Sequence, residues 1–157
     1  MTWEQVLTNP ILQNLPFKIE LNRFGQVLMS PASNRHGMIQ SDVGYELRRR
    51  KRKGRVINEC SIDTPDGVKV ADVAWASEDF LATYGEQTPY PQAPEICVEI
   101  VSRSNTKLEI ENKVELYLNQ GALEVWVVND KKKVSYFSQA GPLPKSKLLP
   151  KLRFLPD

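Results

Sequence analysis

The chain has 157 residues, enough for one domain with a sizeable core. Hydrophobic residues at 41% and charged residues at 25% are ordinary for a soluble globular protein. A net charge of +2 excludes general attraction of the whole molecule to nucleic acid, so any such contact must come from local clustering of charge.

Residues 1–16 read as a short leader interrupted by Pro10 and Pro16. Met1 to Gln5 do not form a basic segment followed by an apolar core, so no secretory signal is expected. No apolar run approaches the ~20 residues that span a bilayer. The expectation is a soluble, cytoplasmic protein without membrane partners. Phe17 to Leu21 alternates apolar and polar residues, as a half-buried strand does. Asn22 to Gly25 forms a turn, and Gln26 to Met29 returns as the second strand of a hairpin.

Ser30 to Asn34 is rich in turn and cap residues and releases a helix. Ile39, Val43 and Leu47 recur every four residues as its buried stripe. The helix ends in the cations Arg48 to Lys53, then Gly54 and Arg55; cations suit a helix C-terminus and glycine suits its stop. Val56 to Ile62 and Val68 to Trp75 read as strands joined at Thr64-Pro65-Asp66-Gly67. Residues 77–92 read as a loop around a short helix. Ile96 to Val101 is an apolar run broken only by Glu99, which suits a central strand covered on both faces. Residues 105–120 form a second helix burying Ile110, Val114, Tyr117 and Leu118. Glu124 to Asn129 and Val134 to Phe137 make a final strand pair. The proline-bearing tail 141–157 is expected as extended chain. The whole is α/β, with a mixed central sheet flanked by two main helices. Cys60 and Cys97 sit in apolar or strand-like runs and read as buried free thiols of a reducing compartment, without metal-ligand spacing.

Side chains alternate along a strand. Asp72 therefore shares a face with Val70 and Ala74, and Glu99 with Cys97 and Val101. A lone carboxylate in a dry sheet is costly unless paired, solvated at a strand end, or bound to a cation. Two on neighbouring strands repel each other, and a divalent ion relieves both problems; such hard oxygen ligands suit Mg²⁺ or Mn²⁺. Lys113 lies at the edge of the second helix's apolar stripe. It also follows Glu109 by four residues, the spacing of a surface ion pair.

Several segments in order carry a family resemblance: Glu20, Met29-Ser30-Pro31 leading to His36, and Ala71-Asp72-Val73-Ala74. They continue with Val98-Glu99-Ile100-Val101-Ser102, Lys113-x-x-x-Tyr117, Gly121, Val125-Trp126-Val127-Val128 and Leu148-Leu149-Pro150. Over roughly residues 17–152 the chain resembles the Uma-two family of the PD-(D/E)XK, restriction-endonuclease-like nuclease superfamily. That resemblance implies a restriction-endonuclease-like core and Mg²⁺- or Mn²⁺-dependent hydrolysis of phosphodiester bonds in DNA. It implies Asp72 and Glu99 as metal ligands, with Glu20 as a further acid. The superfamily's lysine two residues after the glutamate is absent, since position 101 is valine; the resemblance puts that role on Lys113. It makes His36 and Tyr117 candidates for lining the site.

Two further departures lie beside the site. Ala71 stands where the family usually has proline, and Arg103 replaces the proline of Ser-Pro-Ser. Arg103 adds a cation suited to a phosphate. The run Arg48, Arg49, Arg50, Lys51 and Arg52 suits a phosphate backbone, and equally a solvated helix end. Without activity, the same fold would serve as a nucleic-acid- or protein-binding module. Trp126 and the last hairpin are a candidate surface for a homodimer.

Overall fold

The computed structural model describes residues 1–152. The expected hairpin forms from β1 (Phe17–Leu21) and β2 (Val27–Pro31), paired antiparallel as a separate two-stranded sheet. The leader contains a helix, α1 (Trp3–Thr8), closed by a capping box between Thr2 and Gln5. Its Val6 packs with Leu21 and Val68, so the segment is docked on the hairpin rather than trailing.

The main sheet has six strands: β3 (Arg55–Thr64), β4 (Gly67–Ala76), β5 (Ile96–Ile100), β6 (Glu124–Val128), β7 (Val134–Ser138) and β8 (Gly141–Leu143). They lie side by side in chain order, and only β5–β6 is parallel. A parallel pair needs a crossover, supplied by α4 (Lys107–Asn119). Strand β8 begins the expected extended tail; residues 153–157 of that tail lie outside the described residues.

Helix α2 (Asn34–Arg50) covers one face of the sheet. Ile39, Val43 and Leu47 pack there on Val73, Trp75, Val98 and Ile100. The other face packs under α3 (Glu78–Tyr84) and α4, through Phe80, Val114, Tyr117, Ala74, Cys97 and Val125. Both cysteines are buried and free. The sheet is thus covered on both sides, which explains why β5 is apolar at every position except Glu99.

Gly54 has φ +77°, and a Cβ there would meet the Ala76 carbonyl oxygen at 2.3 Å. Only glycine lets the chain leave α2 and enter β3 so close to β4. Trp126 is not the surface residue that the sequence suggested for a dimer contact. It is 2% exposed, packs edge-on to Tyr136, and donates through Nε1 to Glu124.

Candidate active site

The β4–β5 register pairs Val73 with Val98, which leaves Asp72 and Glu99 one step further along their two strands. Both are almost fully buried, 1% and 2% exposed. Each carboxylate has one oxygen fixed by a neutral donor. The Ile100 N–H donates to Asp72 Oδ2 at 2.7 Å, and the Tyr117 hydroxyl donates to Glu99 Oε1 at 2.7 Å. The remaining oxygens, Asp72 Oδ1 and Glu99 Oε2, meet one ammonium, Lys18 Nζ, at 3.0 and 3.3 Å.

Glu20 reaches the same place from β1. It is buried, and its Oε1 accepts from the Val70 N–H at 2.8 Å and from Lys113 Nζ at 2.8 Å. Lys113 also stands 3.6 Å from Glu99 Oε2. Glu109 is engaged elsewhere: it accepts from the Thr106 N–H in the capping box that starts α4. The i,i+4 surface pair with Lys113 does not form, because the cap and the sheet claim the two partners. His36, in the first turn of α2, places Nε2 3.2 Å from Asp72 Oδ1.

These contacts drive the carboxylates apart in acidity. Burial raises the pKa of Asp72, but Lys18, His36 and the Ile100 N–H outweigh it and hold the group at about 2. Burial dominates at Glu99 and raises its pKa despite Lys113 and Lys18. At Lys18 burial opposes the charge, yet Glu99, Asp72 and Glu20 together raise its pKa, so it remains an ammonium. The hydrogen bond to Asp72 raises His36, against the cost of burial. The Tyr117 hydroxyl is raised well above its ordinary value by burial and by Glu99, and so stays a donor.

The cluster opens into a cleft of about 320 Å³ between the hairpin, α2 and the end of β5. Asp72, Glu99, Lys18, Lys113, His36 and Gln40 line it. Gln40 donates to the Asp72 carbonyl and to Glu59. Glu59 adopts φ 54°, a left-handed conformation that costs a non-glycine residue of order 1 kcal/mol and that recurs at functional sites.

Sequence reasoning overlooked Lys18, Gln40 and Glu59. Two of the three left a signal. Lys18 shares a strand face with Glu20, and Gln40 follows His36 by four residues on one helix face. Glu59 left none. Arg103 is exposed and borders an adjoining cleft with His36 and Ser102. The basic run does not join the site. From His36 to Arg49 is thirteen residues of helix, about 20 Å. Part of the run is also engaged: Arg49 and Arg50 pair with Glu46, and Lys51 lies over the Trp75 ring.

Carboxylate oxygens converging on one point are the donor set that a hard divalent cation takes. Among the described residues no group of three or more His, Cys, Asp and Glu side chains is set as a metal site. The ammonium of Lys18 holds the point where the Asp72 and Glu99 oxygens meet.

The sequence matches the family described as "Putative restriction endonuclease", Uma2, over residues 3–150. The chain belongs to the Uma2 family. A solved structure with the same fold is described as a "putative nuclease belonging to DUF820" from Anabaena variabilis ATCC 29413. It superposes with a TM-score of 0.69 at 15% identity, covering 99% of this chain and 94% of that one. The sequence matches no curated protein. The mixed sheet with flanking helices is therefore the restriction-endonuclease-like core of the Uma2 fold. No helix among the described residues is long and apolar enough to cross a membrane.

Proposed function

We propose that this Uma2-family chain is a divalent-metal-dependent endonuclease that hydrolyses phosphodiester bonds in DNA. The observation that carries the reading is the convergence of Asp72 and Glu99 in one cleft beside Lys113, whose ammonium joins Glu99 to Glu20. Asp72 and Glu99 would hold Mg²⁺ or Mn²⁺ through the oxygens now facing Lys18, with Glu20 beside them. Such an ion, when bound, polarises the phosphate and makes water acidic enough to attack. The remaining work falls to the chain. Ile100 and Tyr117 fix the rear oxygen of each ligand, so that the other points into the cleft. Lys113 supplies a fixed positive charge for the attacking water or a phosphoryl oxygen. His36 lines the site and favours the ionised form of Asp72. Arg103 at the rim and Arg48 to Arg52, one helix length away, would hold the backbone of the same DNA at two separated points.

The test is cleavage of supercoiled plasmid by purified protein in Mg²⁺ or Mn²⁺. Nicked or linear product should appear, EDTA should stop it, and Asp72→Asn should lose it while keeping its circular dichroism spectrum. Cleavage that survives in Asp72→Asn overturns the assignment. Cutting both strands at one place would call for a homodimer, and a monomer mass in sedimentation removes that arrangement.

A second reading is a non-catalytic DNA-binding module. Two observations favour it: valine at position 101, and an ammonium already satisfying both carboxylates. It requires DNA binding that is sensitive to salt and to reversal of Arg48 to Arg52, but indifferent to EDTA.

A further inference from the structure

The cleft holds a cation of its own. Lys18 Nζ lies 3.0 Å from Asp72 Oδ1, 3.3 Å from Glu99 Oε2 and 3.9 Å from Glu20 Oε1. Lys113 makes the Glu20 and Glu99 contacts as well, but the structure records no pairing of it with Asp72. Lys18 is therefore the lysine that bridges the two proposed metal ligands. It comes from the hairpin, while its acceptors lie on β4 and β5 of the main sheet.

We infer that Lys18 is a resident counter-cation, whose ammonium occupies the metal position in the metal-free protein and must leave before a divalent ion can bind. This inference rests on the reading of Asp72 and Glu99 as metal ligands. The reason is steric and electrostatic together. A Mg²⁺-sized ion needs oxygens at about 2.0–2.1 Å, so it and an ammonium cannot share one point between the same two atoms. The ammonium sits on a flexible four-carbon stem, and its side chain is 12% exposed toward the cleft, so it has a way out.

The charge count makes the exchange depend on substrate. Three carboxylates against two ammoniums leave the cluster with one negative charge when His36 is neutral. A divalent ion added while Lys18 stays in the cleft reverses that to one positive charge, which a single phosphodiester neutralises. The ion alone binds against Lys18. With a phosphate in the cleft, the displaced ammonium gains a new partner. Lys18 thus couples occupancy of the metal site to arrival of the phosphate backbone.

The test is Mn²⁺ titration by calorimetry without DNA, on the wild type and Lys18→Met, which keeps the stem and removes the charge. Lys18→Met should bind Mn²⁺ at least ten-fold more tightly. Its melting temperature in EDTA should fall below the wild type's, and Mn²⁺ should raise it more. Should Lys18→Met fail to fold without metal, Lys18→Met/Glu20→Gln restores the charge balance. That double variant should bind Mn²⁺ more tightly than Glu20→Gln alone. Equal or weaker binding without Lys18, in a protein whose wild-type binding is lost in Asp72→Asn, overturns the role of Lys18 and leaves the metal reading standing. No Mn²⁺ binding by either wild type or Lys18→Met overturns both.

Discussion

Glu99 and Glu124 lie on neighbouring parallel strands, are each 2% exposed, and have opposite surroundings. Glu124 begins β6 and accepts from four neutral donors: Trp126 Nε1, Ser146 Oγ, and the N–H groups of Lys147 and Leu148. The last three clamp the chain after β8 onto the sheet. Glu99 has one neutral donor, Tyr117, and its other oxygen faces two ammoniums at the floor of a cleft. A buried carboxylate saturated by dipoles is finished as a structural part, whereas one held by flexible cations can exchange partners. Burial alone does not distinguish them; the kind of partner and access to solvent do.

The sharpest way to break this contrast is to disable each acid in turn. Glu99→Gln should reduce cleavage by more than ~100-fold, beyond what loss of an outer-shell partner alone costs, with a modest change in melting temperature. Glu124→Ala should do the reverse. It strands four donors, of which Trp126 Nε1 and Ser146 Oγ are buried, at about 1–3 kcal/mol for each left unsatisfied, so thermal unfolding should move down by ~10 °C. Activity per folded molecule should stay near wild type. If Glu124→Ala abolished activity without lowering stability, the contrast would fail.

Next in size is the acid response of Asp72 in EDTA. Its folded pKa of about 2 lies below its ordinary 3.8. Its ion pairs therefore contribute fully above about pH 4, and the contribution is lost as the pH falls through about 2. The linkage is worth roughly 2 kcal/mol. Urea unfolding between pH 5 and 2 should show this loss in the wild type and not in Asp72→Asn.

Tyr117→Phe removes only the rear hydrogen bond of Glu99, and should lower kcat by ~10-fold. Smallest is Glu109→Ala, which removes half of a capping box and should cost under about 1 kcal/mol with cleavage unchanged. A large loss of activity in that variant would mean that Lys113 depends on Glu109 after all.

Much of the fold was legible because local sterics write it into short stretches. Period-two alternation marked β1, and the four-residue stripe of Ile39, Val43 and Leu47 marked the buried face of α2. The break of an apolar run by Glu99 marked the centre of the sheet. Even the placing of Asp72 near Glu99 was readable, since each sits in an apolar strand and the strands follow one another. β8 was not legible, because Gly141-Pro142-Leu143 has no strand pattern and forms only by pairing with β7.

What the sequence by itself determined is most of the elements, α1 and β8 excepted, and the two acids, because strand alternation and helix periodicity depend on neighbours a few residues apart. Only the tertiary structure decided which partners those acids have. Lys113 meets Glu20 across 93 positions, Lys18 meets Glu99 across 81, and Glu124 turns to Ser146 rather than to the cleft. Such contacts arise when packed elements bring remote charges into one dry volume. There an unpaired ion is costly enough to select its partner, and no local pattern records the choice.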